Sequence, residues 1–93
     1  MLTHVVLFRF TDPADAVEAQ TRLEALVGRI PELLSLTAGR DVVGDAAAAH
    51  LALITSHADV AGLKAYQGHS VHQEFGAWLG PRLDSRTVVD FES

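Results

Sequence analysis

Three short stretches of this chain would carry apolar side chains on both faces of any β-strand that they form. They are His4–Phe10, His50–His57 and Arg86–Phe91, and in the first of them Val6 and Leu7 would point to opposite sides of a sheet. An antiparallel sheet with one face in water normally alternates apolar and polar residues instead. The pattern therefore predicts a sheet whose two faces are both covered.

A helix and a second strand are predicted between the first two of these stretches. Apolar residues recur at intervals of three and four from Ala16 to Ile30, which is typical of a helix with one buried face. Asp12 is the expected N-cap, and Pro13 suits the first helical position because its missing amide proton is not needed there. The second strand is predicted at Leu34–Val43, with Gly39 marking a bulge.

The second helical region is predicted to be divided into two short helices. Asp59 caps the first of them, Val60–Gln67, and the second is expected at Val71–Leu79. Gly68 is expected to end the first helix in a left-handed conformation, and the pattern Ser70–Gln73 is typical of the capping box that begins a new helix.

The resulting order is β-α-β-β-α-β, which predicts an α+β fold of the ferredoxin-like kind in a single domain spanning residues 1–93. Both helical regions would cover one face of a four-stranded antiparallel sheet. The other face would be more apolar than soluble monomers usually tolerate. We therefore expect a homodimer packed sheet against sheet, in which each partner buries on the order of 800 Å².

Composition argues against several classes of protein. The 93 residues include no cysteine, which excludes disulfides and zinc-thiolate sites and favours an intracellular location. A formal net charge of -5 with seven Lys plus Arg argues against nucleic acid as a partner. The longest apolar runs, such as Leu51–Ile54, are too short to span a membrane, and the chain does not begin like a signal peptide. We expect a cytoplasmic protein.

The segment Tyr66–Phe75 places a phenol and two imidazoles within seven positions. Tyr66 would lie in the last turn of one short helix and His72 in the first turn of the next. The positive end of a helix disfavours imidazolium, so His72 should stay neutral and available as a base near neutral pH. Alternatively, Tyr66 and His72 are half-buried helix residues whose polar atoms find local partners.

The chain resembles the stress-responsive dimeric α/β-barrel family, known as Dabb, over nearly its whole length. The resemblance implies a ferredoxin-like subunit and a barrel formed across a dimer, in agreement with the two-faced strands. The segments that carry it are His-Val-Val-Leu-Phe-Arg-Phe at His4–Phe10, Ile-Pro-x-Leu-x-Ser-Leu at Ile30–Leu36, Ala-Tyr-Gln-x-His-x-x-His at Ala65–His72 and Ser-Arg-x-Val-Val-Asp-Phe at Ser85–Phe91.

A plant member of this family, olivetolic acid cyclase, is also similar to the chain, and it closes a linear polyketide by aldol condensation without a cofactor. Its catalytic tyrosine and histidine match Tyr66 and His72, and further pocket histidines match His4 and His69. Ser70 stands where the plant pattern has proline. The resemblance thus implies Tyr66 and His72 as candidate catalytic residues, with His4 and His69 in support.

We expect a small apolar pocket between the helices and the sheet, and a protein that binds a small apolar or aromatic molecule there. The alternative from the enzyme class is a cofactor-free cyclase or lyase with His72 as general base and Tyr66 as hydrogen-bond donor to an oxyanion. A purely structural stress protein would instead fill the pocket with side chains. The residues expected to line the pocket are His4, Val6, Phe8, Tyr66, His69, His72 and Phe75.

Two further ideas concern charged and metal-binding groups. His69 and His72 lie three residues apart and His4 could approach them, but without a convergent carboxylate these histidines make a weak metal site, so we expect no metal.

Arg40 and Arg86 fall within predicted strands, where an arginine lies at an edge, meets a ligand anion or pairs across the sheet with a carboxylate. Cross-strand pairing with a nearby aspartate is the favoured expectation.

Overall fold

The computed structural model describes residues 1–93 and contains four strands and three α-helices, in the order β-α-β-β-α-α-β. This is the predicted order, with the second helical region divided in two as expected. No helix in the fold combines the length and the apolar character that crossing a membrane requires. The elements are β1 (Leu2–Phe10), α1 (Asp15–Glu24), β2 (Ser35–Arg40), β3 (Leu51–His57), α2 (Val60–Gly68), α3 (Ser70–Leu79), a 3-10 turn (Gly80–Arg82) and β4 (Leu83–Glu92).

The four strands form one antiparallel sheet in the order β2-β3-β1-β4, which is the ferredoxin-like arrangement. Strand β1 lies in the interior of the sheet and pairs with β3 on one side and with β4 on the other. In this register His4 lies between Thr55 of β3 and Asp90 of β4. The two outer strands, β2 and β4, each pair on one side only.

The core lies between the sheet and the helices, all of which cover the same face. Alternate residues of β1 and β3 are buried there, as the period of a strand requires. Helix α1 contributes Ala19 and Leu23, which are fully buried, and the C-terminal part of α3 contributes Leu79. The helix-facing residues of β1 and β3 are Leu2, His4, Val6, Phe8, Phe10, Leu51, Leu53, Thr55 and His57.

The opposite face of the sheet is bare and apolar, as the sequence predicts. Leu7 and Ile54 are 43% and 44% exposed, and Val89 and Phe91 are 57% and 47% exposed. The register places them on neighbouring strands of the same face, because Val89 pairs with Val5 and Ile54 pairs with the same residue from the other side. We call this surface, made of Val5, Leu7, Ile54, Val89 and Phe91, the outer apolar face.

Helix α1 is shorter than predicted and begins later. It ends at Glu24, because the hydrogen bonds after that residue tighten into turns, for example from Arg29 N–H to the Leu26 carbonyl at 3.0 Å. Gly28 then adopts a φ of +83°, in the left-handed region that favours glycine. Asp12 does accept a hydrogen bond, from Ala14 N–H at 3.0 Å, but it caps the turn before the helix rather than α1 itself.

The joint between α2 and α3 is where the prediction of the cap was wrong. Gly68 is the last residue of α2 and does not have a positive φ. His69 forms the joint in an extended conformation, with φ -66° and ψ 140°, and it is His69 rather than Ser70 that caps α3. The cap of α2 is as predicted, since the Asp59 side chain accepts from Gly62 N–H at 2.8 Å.

Strand β2 is also shorter than predicted, and it is regular. Gly39 pairs with Ala52 in an unbroken register, so the predicted bulge is absent. The one irregularity in the pairing lies instead on β1, between Arg9 and Phe10, where its pairing with β4 shifts. After Arg40 the chain leaves the sheet in a loop that leads to β3.

The side chain of Trp78 contacts residues from two other elements, α1 and the 3-10 turn. Trp78 of α3 is partly buried against the core, and its ring lies 6.1 Å from that of Phe75. The guanidinium groups of Arg22 and Arg82 each lie 4.7 Å from the centre of the Trp78 ring. Such cation–π contacts are attractive, so α1, α3 and the 3-10 turn are held to one another at this ring.

Candidate functional site

A cavity of about 60 Å³ lies between β1 and the two helices α2 and α3. Six of the seven residues predicted to line a pocket contribute to its wall, and His69 is the exception. The floor comes from the helix-facing side of the sheet and the roof from α2 and α3. The wall consists of His4, Val6, Phe8, Leu23, Leu53, Tyr66, Gln67, His72, Phe75, Gly76, Leu79 and Arg86.

His69 is occupied elsewhere, as the cap of α3. Its Nδ1 accepts a hydrogen bond from Val71 N–H at 3.1 Å, and its carbonyl accepts from Gln73 N–H at 2.9 Å. These bonds satisfy amide groups that are otherwise left without partners at the start of a helix. The position of His69 is therefore explained by the joint between the helices.

Tyr66 lies at the centre of the site, in the last turn of α2. It is 0% exposed, and its hydroxyl makes no hydrogen bond. Burial raises the pKa of Tyr66 to about 12, because the phenolate would have to form away from water. The group is thus a neutral hydroxyl at physiological pH, with a proton that it can donate. The expectation of a local hydrogen-bond partner for this residue is wrong.

His72 stands against Tyr66 from the first turn of α3. Their ring centres are 4.6 Å apart and the rings meet edge to face. Burial is the main reason that the pKa of His72 is lowered, and the positive charges of His4 and Arg86 act in the same direction, while the Gln67 carbonyl opposes them. The sequence predicts a neutral His72, although it attributes this to the helix terminus rather than to burial.

His4 is held from the neighbouring strand. Its Nδ1 contacts the Oδ1 atom of Asp90, which lies directly opposite in the register of β1 and β4. Since an ionised carboxylate only accepts, Nδ1 is the donor in this pair. The Nε2 atom of His4 makes no hydrogen bond within the chain, so it is available to the cavity.

His57 is a part of the cluster that the sequence analysis did not select. It is fully buried, with Nδ1–H donating to the Glu32 carbonyl at 2.9 Å and the Thr55 hydroxyl donating to Nε2 at 2.9 Å. Its ring lies 4.8 Å from Tyr66 and 6.3 Å from His4, and burial lowers its pKa. The period of β3 was the available signal, because His57 and Leu53 must share a face.

Arg86 is a wall residue that was not among those predicted to line the pocket. It lies on β4 opposite Phe8, on the helix-facing side of the sheet, and it forms neither a salt bridge nor a hydrogen bond within the chain. The expected cross-strand pairing of the strand arginines is wrong. Arg40 donates to the Gln20 side chain at 2.9 Å, and Asp90 is taken by His4.

The polar groups of the cavity include the free Tyr66 hydroxyl, the neutral His72 imidazole and the unpaired Arg86 guanidinium, together with His4 and Gln67, in a wall that is otherwise mainly apolar. No group of three or more His, Asp or Glu side chains is arranged to hold a metal ion. Such a wall can surround an apolar body and hydrogen-bond to oxygen atoms on it.

The strand order and the single helical layer define this chain as a ferredoxin-like α+β protein whose helices roof a His/Tyr cavity. It belongs to the stress responsive A/B barrel domain family, which matches residues 2–93. No protein of the curated set matches the chain significantly.

Solved structures agree with this fold. A dimeric ferredoxin-like protein of unknown function from Thermobifida fusca is 30% identical, with a TM-score of 0.86 over 99% of this chain and 90% of the other. A dimeric protein of unknown function from Bacteroides fragilis is 24% identical, with a TM-score of 0.87 over 99% and 95%. The hydroxynitrile lyase from Passiflora edulis is 18% identical, with a TM-score of 0.80 over 97% and 90%.

The buried histidines predict how stability depends on pH. Because the folded state lowers the pKa values of His57 and His72 below about 6.5, the unfolded chain binds more protons as the pH falls through that value. Their contribution to stability is present above about pH 6.5 and is lost below it. We expect urea denaturation to give a free energy of unfolding that falls from about pH 7 to about pH 5.

The matching variant is His57→Gln, which removes one of the two titrating groups. It should be less stable at neutral pH and show a shallower fall over the same range. If the free energy of unfolding of this variant fell with pH as steeply as that of the wild type, His57 would not be a cause of the pH dependence.

Proposed function

We propose that this protein is a homodimer that binds a small apolar or aromatic molecule in the cavity, with an oxygen atom of the ligand accepting a hydrogen bond from Tyr66. The observation that carries the proposal is the buried Tyr66 hydroxyl without a partner. Leaving such a group unsatisfied costs about 1–3 kcal/mol. A ligand that supplies an acceptor recovers that cost, and a carbonyl or phenolic oxygen is the simplest acceptor of this kind.

The size of the cavity limits the part of the ligand that enters it. About 60 Å³ corresponds to roughly four to six water-sized groups, since one water needs ~10–15 Å³ by this measure. A ligand therefore enters with a small head that carries an oxygen atom. A longer molecule would leave the cavity past Arg86, which is exposed on the outer strand β4.

The outer apolar face supports the homodimer. Its members lie next to one another across β3, β1 and β4, and none of the helices of the chain covers them. Soluble monomers seldom leave a continuous apolar surface of this kind in water. The Thermobifida fusca and Bacteroides fragilis proteins are both dimeric, and a second copy of this chain would cover the face in the same way.

A second candidate function is acid–base catalysis in the same cavity. The ring of the neutral His72 lies 4.6 Å from the Tyr66 ring, measured between their centres. One of the solved structures with the same fold, from Passiflora edulis, is an enzyme, a hydroxynitrile lyase. His72 would take a proton from the carbon next to a carbonyl, while the Tyr66 hydroxyl would donate to the oxygen on which negative charge develops. This chemistry is that of a cofactor-free cyclase or lyase, with His4 in support.

We expect 2,4-pentanedione and phenol to bind to the wild-type protein, and Tyr66→Phe to weaken both about 5- to 10-fold, because one hydrogen bond is lost. NMR titration measures the affinities, and the spectra also show whether the variant is folded. His50→Gln is the control, since His50 lies outside the cavity, and it should leave both affinities unchanged. Equal affinities in wild type and Tyr66→Phe, or no binding of either probe, would contradict the proposed function.

The dimer is tested with two matched substitutions of exposed valines. Val89→Asp places a charge in the outer apolar face, whereas Val17→Asp places one on α1, on the other side of the molecule. Sedimentation at micromolar concentration should give a dimer for wild type and for Val17→Asp and a folded or unfolded monomer for Val89→Asp. A wild-type monomer under these conditions would rule out the dimer.

Catalysis is tested by exchange of deuterium into the α-positions of 3-pentanone, whose uncatalysed exchange is slow. If the second function applies, the wild-type protein accelerates exchange, and His72→Gln lowers the accelerated rate by about 100-fold or more because the base is lost. His50→Gln is the control, since His50 lies outside the cavity wall and away from α2 and α3. Binding without accelerated exchange would leave a binding protein rather than an enzyme.

A further inference from the structure

The cavity wall contains one full positive charge that the chain itself does not neutralise. Arg86 forms no salt bridge, although every other cavity residue that could ionise is either buried as a neutral group or engaged by a partner. Its neighbours across and along the strands are apolar, with Phe8 opposite and Val88 next on the same side. Of the two aspartates on β4, Asp90 is engaged by His4, and Asp84 lies 3.9 Å from the Arg9 guanidinium.

We propose that Arg86 makes the cavity selective for ligands that carry a carboxylate, and that the ligand class is a small oxo acid. This inference rests on the proposed binding function, since it names the kind of molecule that the same cavity takes. The ligand would place its carboxylate on Arg86 and its carbonyl oxygen on the Tyr66 hydroxyl, with its short carbon chain against the apolar wall.

The chemistry of the guanidinium group favours this ligand over a neutral one. Arginine presents a planar set of donors that binds a carboxylate through two parallel hydrogen bonds, and such charge-assisted bonds are about twice as strong as neutral ones. The whole chain has a net charge of -5, so an anion is attracted to this cavity only by a local positive charge.

The distribution of donors also fits a ligand with two separate acceptors. The Tyr66 hydroxyl is deep and has no partner, whereas Arg86 lies on the exposed outer strand at the side of the cavity. A β-oxo acid has an inner carbonyl and an outer carboxylate, so it offers one acceptor to each donor. A neutral ketone satisfies only the first of them.

The test compares acetoacetate with acetoacetamide, which has the same number of heavy atoms and no charge. We expect acetoacetate to bind wild-type protein about tenfold more tightly or better, which is ~1.4 kcal/mol. Arg86→Gln should remove this preference by weakening acetoacetate about tenfold while leaving acetoacetamide within about twofold, and Arg86→Lys should keep part of it. Isothermal titration or NMR titration measures all six affinities.

Arg40→Gln is the control, because Arg40 is also a strand arginine but lies on β2, outside the cavity wall. It should leave the preference unchanged. Equal affinities of the two probes for wild type, or an unchanged preference in Arg86→Gln, would overturn the inference. Such equality is also the result expected if a carboxylate of a second copy pairs with Arg86.

The neutral probes separate this failure from a failure of the proposed function. If 2,4-pentanedione binds with a dependence on Tyr66 while acetoacetate shows no preference, the binding function stands and the role of Arg86 is wrong. If none of the probes binds to wild type, both proposals are wrong.

Discussion

The alternation of side chains along β1 is the constraint on which the rest of the structure depends. This strand lies inside the sheet, so its register is fixed from both sides, and a slip of one residue would exchange its two faces. One face carries Val6 and Phe8 into the core and His4 into the cavity wall. The other face carries Val5 and Leu7 to the outer apolar face. The packing of the core, the composition of the cavity and the outer apolar face thus follow from a single register.

Two neighbouring buried rings, one in the cavity wall and one beside it, differ in whether their polar atoms have hydrogen-bond partners. His57 is surrounded by partners, with a carbonyl on one nitrogen and a hydroxyl on the other, so it adds to the rigidity of the floor at little cost in free energy. Tyr66, 4.8 Å away and equally buried, has no partner for its hydroxyl. Folded chains seldom leave a buried polar group unsatisfied without a reason. The contrast is the reason that the proposed hydrogen bond to a ligand is assigned to the phenol and not to the histidine beside it.

Local patterns in the sequence predicted the types and order of the elements, the divided second helical region and the cap at Asp59. Six of the seven residues predicted to line a pocket are among the twelve of the cavity wall, while their role in binding stays a prediction. These patterns did not predict features that depend on contacts between residues far apart in the sequence. The burial of His57 is accompanied by a hydrogen bond to the Glu32 carbonyl, 25 residues away, and Asp90 contacts His4, 86 residues away. The end of α1 was missed because apolar residues keep a helical spacing through Leu26 and Ile30 while the backbone tightens into turns. The cap at the joint was missed because histidine is not a common N-cap, whereas Ser70 next to it is.

Trp78, held between the guanidinium groups of Arg22 and Arg82, is the only tryptophan in the chain. The indole emission of the protein therefore comes from one place, where α1, α3 and the 3-10 turn are in contact. Unfolding separates those arginines from the ring, so intrinsic fluorescence follows the loss of the helical layer without any added dye. The same ring lies 6.1 Å from Phe75, a residue of the cavity wall, which gives the chain a built-in optical sensor close to the place where a ligand would lie.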